Sequence, residues 1–147
     1  MPRPANPIVR SRLLLAGRDL IHKHGFNGCG VQDITAQAGV PKGSFYNYFD
    51  SKEALVTEIL DQYWLSIDER YGPILQNARM KPLVRVKRFF EGLAEDHRER
   101  GFSGGCLIGN VALELSDASG AVRSKIKALF ATWERMLVKC LEEAQQR

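Results

Sequence analysis

Apolar residues that return every three to four positions restrict this chain to an all-helical fold. Leu55, Ile59, Tyr63 and Ile67 recur four apart, and Val122, Ile126, Leu129, Trp133, Leu137 and Leu141 keep the same rhythm. A helix of 3.6 residues per turn lines such positions up as one stripe, whereas a strand would scatter them over both faces. No stretch of the sequence reads as a strand. Helices are expected over 8–24, 31–38, 41–49, 51–71, 82–98, 106–115 and 121–145. The first faces inward through Leu13, Ala16, Leu20 and Ile21, and the fifth through Val86, Phe89, Phe90 and Leu93. Gly25 and Gly39 stop the first two, and Asp50 reads as an N-cap with Glu53 three residues on. Pro73 and Pro82 punctuate a connector, "RGFSGG" is a break, and the proline-rich "MPRPANP" is expected to be a flexible arm. His22 and His24, two apart, cannot share a helix face as metal ligands would. At a helix C-terminus they suit the dipole instead.

Charge divides the chain unevenly. Met1 to Lys52 carries seven basic residues against three acidic ones, while the remainder carries fourteen of each. All of the +4 excess therefore lies in the first third, the asymmetry expected of a part that touches a polyanion or presents a solvated basic face. No apolar run approaches the roughly 18 residues of a membrane span, and the first residues lack a signal-peptide core. A cytoplasmic protein is expected. Cys29, Cys106 and Cys140 have neither paired nor metal-ligand spacing, so reduced thiols and no metal or other cofactor are expected.

The stretch "GVPKGSFYNYFDSKEAL" carries the chemistry. Lys42 and Lys52 each fall in the first turn of a helix, at the positive end of the dipole, a placement that makes sense beside an anion. Gly43 inside a helix costs about 1 kcal/mol against alanine, understandable where a backbone or base edge must come close. Phe45 and Phe49, four apart, anchor the segment inward, which turns Ser44, Tyr46 and Asn47 away; Tyr48 is placed to reach a phosphate. Two short helices joined by a glycine turn, after a longer one, form a helix-turn-helix outline.

The longer run "GFNGCGVQDITAQAGVPKGSFYNYFDSKEAL" resembles the N-terminal signature of the TetR family of bacterial transcriptional regulators, over about residues 8–60. The resemblance implies an all-α subunit, with an N-terminal helix-turn-helix DNA-binding domain over 1–50 and a helical regulatory and dimerisation domain over 51–147. It implies a homodimer, a double-stranded DNA operator of palindromic form, and release by a small-molecule inducer. Carried over position by position, Gln32, Gly43, Ser44 and Tyr46 fall where members approach bases. Lys42, Asn47, Tyr48 and Lys52 fall where they hold backbone phosphate. Apart from that carry-over, the helix over 51–71 and the arm's Arg3, Arg10 and Arg12 are expected only to assist, through the DNA backbone. Cys29 and Gly30 stand where members often have a hydroxyl, leaving backbone N–H groups there.

"SGGCLIGNVALELSD" is similar to a segment of a subgroup with a Gly-Cys-Leu element that includes repressors responding to electrophiles and oxidants. Cys106 would start a helix, where the dipole favours the reactive thiolate, beside Trp64, Phe90, Phe102 and Trp133 as a sensor site. The plainer alternative is a small residue opening a packed helix; Cys140 reads as core. Members usually continue for two more long helices, so the chain is a fragment, a shortened member, or one whose dimer is built differently. Two other classes remain as rivals. One is a thiol enzyme using Cys106, with His97 the histidine nearest in sequence and nothing placed to orient it; the other is a non-specific basic nucleic-acid binder.

Overall fold

A computed structural model of the chain describes residues 5–146. Among them it forms six α-helices and one short 3-10 helix, with no strand. Helix α1 spans Pro7–His24. Its N-cap is Asn6, whose side chain accepts the Ile8 N–H at 2.9 Å, with Pro7 in the first turn. The C-terminal part of the expected arm is therefore a helix start; Arg3 lies outside the described residues. Helix α2 spans Val31–Ala38 and ends at Gly39, whose φ of 67° is the left-handed C-cap that glycine suits.

A 3-10 helix over Lys42–Asn47 stands where a longer helix was expected over 41–49. Gly43, Ser44 and Asn47 are poor α-formers, and the tighter winding starts from the Pro41 carbonyl, which accepts the Ser44 N–H at 2.9 Å. Helix α3, Lys52–Gln76, corrects two expectations. Its N-cap is Ser51, not Asp50: the Ser51 hydroxyl oxygen accepts the Ala54 N–H at 3.0 Å. It also runs through Pro73 instead of ending before it. Pro73 faces outward while Tyr71 and Leu75 are buried on either side, so packing holds the helix across the lost backbone bond.

Helices α4 (Pro82–Glu99), α5 (Leu107–Leu115) and α6 (Gly120–Gln145) complete the body. Helix α3 is its spine, packing against α1, α4, α5 and α6. Gly17 permits the close approach of α1: a Cβ there would lie 2.8 Å from Leu55 and 3.1 Å from Ile59. On α4 the inner position belongs to Phe89, fully buried, while Phe90, one residue further round the helix, is 51% exposed. Likewise Cys140 is buried on α6 and Leu141 is not. Buried Arg85 escaped the sequence reading. Its guanidinium donates to the Leu75 and Met80 carbonyls, each at 3.1 Å, and to Glu143 at 2.5 Å, which removes the penalty of burying it. No helix among the described residues is long and apolar enough to cross a membrane. No group of three or more potential metal ligands occurs among those residues either.

Candidate nucleic-acid interface

Phe45 and Phe49 anchor the 3-10 segment, their rings 5.6 Å apart and both buried. This turns Lys42, Tyr46 and Asn47 to solvent with Ser44 half-buried beside them, and Gln32 projects from the start of α2. Tyr46 is 65% exposed, yet its ring stands edge-on to Phe45 at 5.2 Å, which holds it in place. Among the described residues, the side chains of Gln32, Lys42, Ser44, Tyr46 and Asn47 make no hydrogen bond or ion pair. Gln32, Lys42 and Tyr46 border an open groove of about 340 Å³ at the N-terminal end of α2. A Cβ on Gly43 would meet nothing within 4 Å, so packing inside the chain does not require glycine there.

The other two residues expected at phosphate have partners within the chain. Lys52 Nζ donates to the carbonyls of Phe26 and Cys29 and lies 4.0 Å from the centre of the Phe26 ring. The Tyr48 hydroxyl accepts the Asn6 N–H at 3.3 Å. Arg10 pairs with Glu58 and sits over the Phe49 ring, while Arg12 is exposed. The turn from α1 to α2 is thus tied to α3 through Lys52. Sequence reasoning missed its second tie, Glu114 on α5, which accepts the N–H groups of Phe26 at 2.9 Å and Asn27 at 2.7 Å. Burial pushes the Cys29 thiol pKa up, partly offset by Lys52. No spacing rule connects positions 88 apart; only the fold does.

Cys106 is the N-cap of α5 and half-buried, one residue before the first turn where it was expected. Tyr63 faces it: burial first, then the neighbouring Cys106, push the phenol pKa up to about 12. The preceding loop is pinned by polar contacts. His22 Nε2 lies 2.8 Å from the Gly105 carbonyl, and Arg100 donates to the same oxygen at 3.2 Å. His97 instead meets Arg100, so the imidazole tied to the residue before Cys106 is that of His22. Of the expected sensor aromatics, Trp64 and Trp133 meet edge-to-face at 5.3 Å, joined by Phe89. Phe90 is exposed, and Phe102 is 70% exposed on the loop with a left-handed φ of 57°. Neither forms a buried wall beside the thiol. Trp133 Nε1 is a buried donor without a partner among the described residues.

Two family models match the chain. "Bacterial regulatory proteins, tetR family" covers residues 13–59, and "Tetracyclin repressor-like, C-terminal domain" covers 82–147. The HTH-type transcriptional repressor DhaR of Mycobacterium sp. (strain GP1) is 37% identical over 94% of this chain and 68% of its own length. The HTH-type transcriptional repressor NemR of Escherichia coli (strain K12) is 32% identical over 79% of this chain and 58% of its own. The chain thus spans between about half and two thirds of the length of these relatives. Among solved structures, regulatory protein TetR from Rhodobacter sphaeroides superimposes with a TM-score of 0.84 at 28% identity, covering 95% of this chain and 74% of that one. The reduced form of E. coli NemR gives 0.82 at 30% identity, covering 94% and 72%. Matched in both halves and along most of its length, the chain belongs to the tetR family of bacterial regulatory proteins.

Proposed function

We propose that the protein is a sequence-specific DNA-binding repressor that works as a homodimer on an inverted-repeat operator and is released by a small molecule or by modification of Cys106. The observation that carries the DNA-reading part is the unpartnered set Gln32, Lys42, Ser44, Tyr46 and Asn47 around the open Gly43 backbone. Polar groups held on a firm apolar base without internal partners suit an external one, and base edges and phosphates supply it. Relatives named as transcriptional repressors support the same reading. They lend no support to a thiol enzyme or to a non-specific binder.

Lys52 and Tyr48 act on DNA indirectly here, by fixing the turn before α2 and the start of α1. The release step uses the second tie to that turn. Helix α5 begins at Cys106 and carries Glu114 in its last turn, so a shift of α5 pulls on residues 26 and 27. Two positions of α5, only one compatible with operator spacing, make inducer and DNA mutually exclusive. A similar structure is described as a reduced form, which supports a redox-responsive reading. A tenfold loss of operator affinity needs about 1.4 kcal/mol of such coupling.

Footprinting tests the dimer: two protected half-sites about one helical turn apart are expected, and a single asymmetric half-site overturns it. For release, operator binding is compared for wild type and Cys106→Ser with and without a thiol-reactive compound. Release of the wild type alone supports Cys106; equal release of both removes it from the mechanism.

A further inference from the structure

We propose that the cleft between α1, α3 and the C-terminal end of α4 is a binding site for a small organic monocarboxylate, with Arg18 as the residue that grips the carboxylate. The cavity holds about 360 Å³, at the lower end of the sizes that accept small ligands. A second space of about 360 Å³ adjoins it, sharing Asp19, His22 and Arg100. Three guanidinium groups line the first cavity, and two are already paired with carboxylates: Arg70 and Arg100 share Asp96, and Arg70 also meets Glu99. Arg70 donates to Asp96 Oδ1 at 2.9 Å and Arg100 to Asp96 Oδ2 at 3.2 Å, so both oxygens of that carboxylate are engaged.

Arg18 differs. Its guanidinium lies 5.3 Å from the centre of the Tyr63 ring, and among the described residues it has no carboxylate or carbonyl partner. A guanidinium presents five N–H donors in a rigid fork that fits a carboxylate two-pronged, and stacking on a tyrosine fixes the fork before a ligand arrives. Asp19 also lines the space and Glu99 pairs with Arg70 at 3.5 Å, so Arg18, Arg70 and Arg100 face the three carboxylates of Asp19, Asp96 and Glu99. With no net positive charge to spare, the space suits a monoanion held by the Arg18 fork better than a dianion such as phosphate. Ile67 and the rings of Tyr63 and Tyr71 offer the ligand's body an apolar surface.

The location gives the site an effector's leverage. Arg18 and His22 belong to α1, which packs directly on α2, whereas Tyr63 and Arg70 belong to α3 and Arg100 caps the C-terminus of α4. A bound carboxylate would bridge these helices, and His22 links the cavity to the Gly105 carbonyl beside Cys106. This effector role rests on the repressor reading; binding does not.

Titration calorimetry tests binding with the full chain, using acetate, butyrate and benzoate as probes and benzamide and inorganic phosphate as comparators. At least one carboxylate should bind one per chain below roughly 10 mM and lose about tenfold or more in affinity in Arg18→Gln. Arg79→Gln, an exposed arginine outside the cavity, should bind as wild type does. Arg18→Lys keeps the charge without the fork and should also weaken binding; it decides the matter if Arg18→Gln does not fold. No binding by any carboxylate, equal binding of benzamide, preference for phosphate, or unchanged affinity in the Arg18 variants would overturn the proposal. Operator affinity is measured separately in the same samples. Carboxylate binding without any operator would sink the repressor reading and leave the site standing, and the reverse result would do the opposite.

Discussion

Lys42 and Lys52 open consecutive helical segments, yet the fold treats them oppositely. Lys42 stands in solvent at the edge of the groove below α2 with no partner of its own among the described residues. Lys52 is folded back on the carbonyls of Phe26 and Cys29 and on the Phe26 ring. The reading face around Lys42 is held from beneath by two phenylalanines and left unsatisfied above. The turn around Lys52 is satisfied from three sides, by α3, by α5 through Glu114, and by its own backbone. A surface whose polar groups lack internal partners and a turn whose groups are internally bonded thus lie next to one another, built from the same residue types. Internal hydrogen bonding separates them, not composition.

The comparison breaks most visibly at its apolar base. Phe45→Ala empties a fully buried position and should lower the stability of the DNA-binding part by about 3–5 kcal/mol, read by thermal or urea unfolding. Tyr46→Ala, one residue on, should leave stability within about 0.5 kcal/mol. A comparable loss in both would mean that Tyr46 belongs to the core after all. Next comes the lysine pair itself. Lys52→Met removes a cation from two carbonyls and should cost about 1.5–3 kcal/mol of stability. Lys42→Met should be nearly neutral for folding, weaken binding to every DNA sequence, and reduce the salt slope of binding by about one. If Lys52→Met instead folds as the wild type does and flattens the salt slope, its inward bonds do not persist in solution.

How far the sequence reveals this division depends on the range of the interactions. The helices over 31–38 and 8–24 were legible because glycine stops and apolar spacing act locally. The core placement of Phe45 and Phe49 followed from their spacing of four. Three other features were not legible. Pro73 is a local helix breaker overridden by the burial of Tyr71 and Leu75. Lys52 reads as a phosphate ligand from its place in a first turn, and its bonds to carbonyls of a turn more than twenty residues earlier carry no local signal. Glu114 carries no signal at all, since its partners are backbone N–H groups of a loop 87 and 88 positions away. The sensor aromatics show the same limit: periodicity placed both Phe89 and Phe90 inward, and one helix face has room for only one of them.

A smaller effect sharpens the regulatory side. The Tyr63 phenol is held to about pKa 12 in the folded chain, against an ordinary value of 10. Its contribution to stability is therefore complete below pH 10 and is lost as the pH rises from 10 towards 12. Unfolding free energy should decline over that window, and Tyr63→Phe should reduce the decline. An identical slope in the variant would mean that Tyr63 is not the buried group responsible.

The central claim, that the unpartnered face from Gln32 to Asn47 reads a DNA sequence, is tested most directly by selecting bound duplexes from a random pool in parallel for wild type and Tyr46→Ala. The wild type should enrich an inverted repeat, with specific binding about 1–3 kcal/mol tighter than that of the variant while their affinities for unrelated DNA stay equal. A wild type that enriches no sequence, or a variant that loses specific and unrelated binding in equal measure, would contradict the claim.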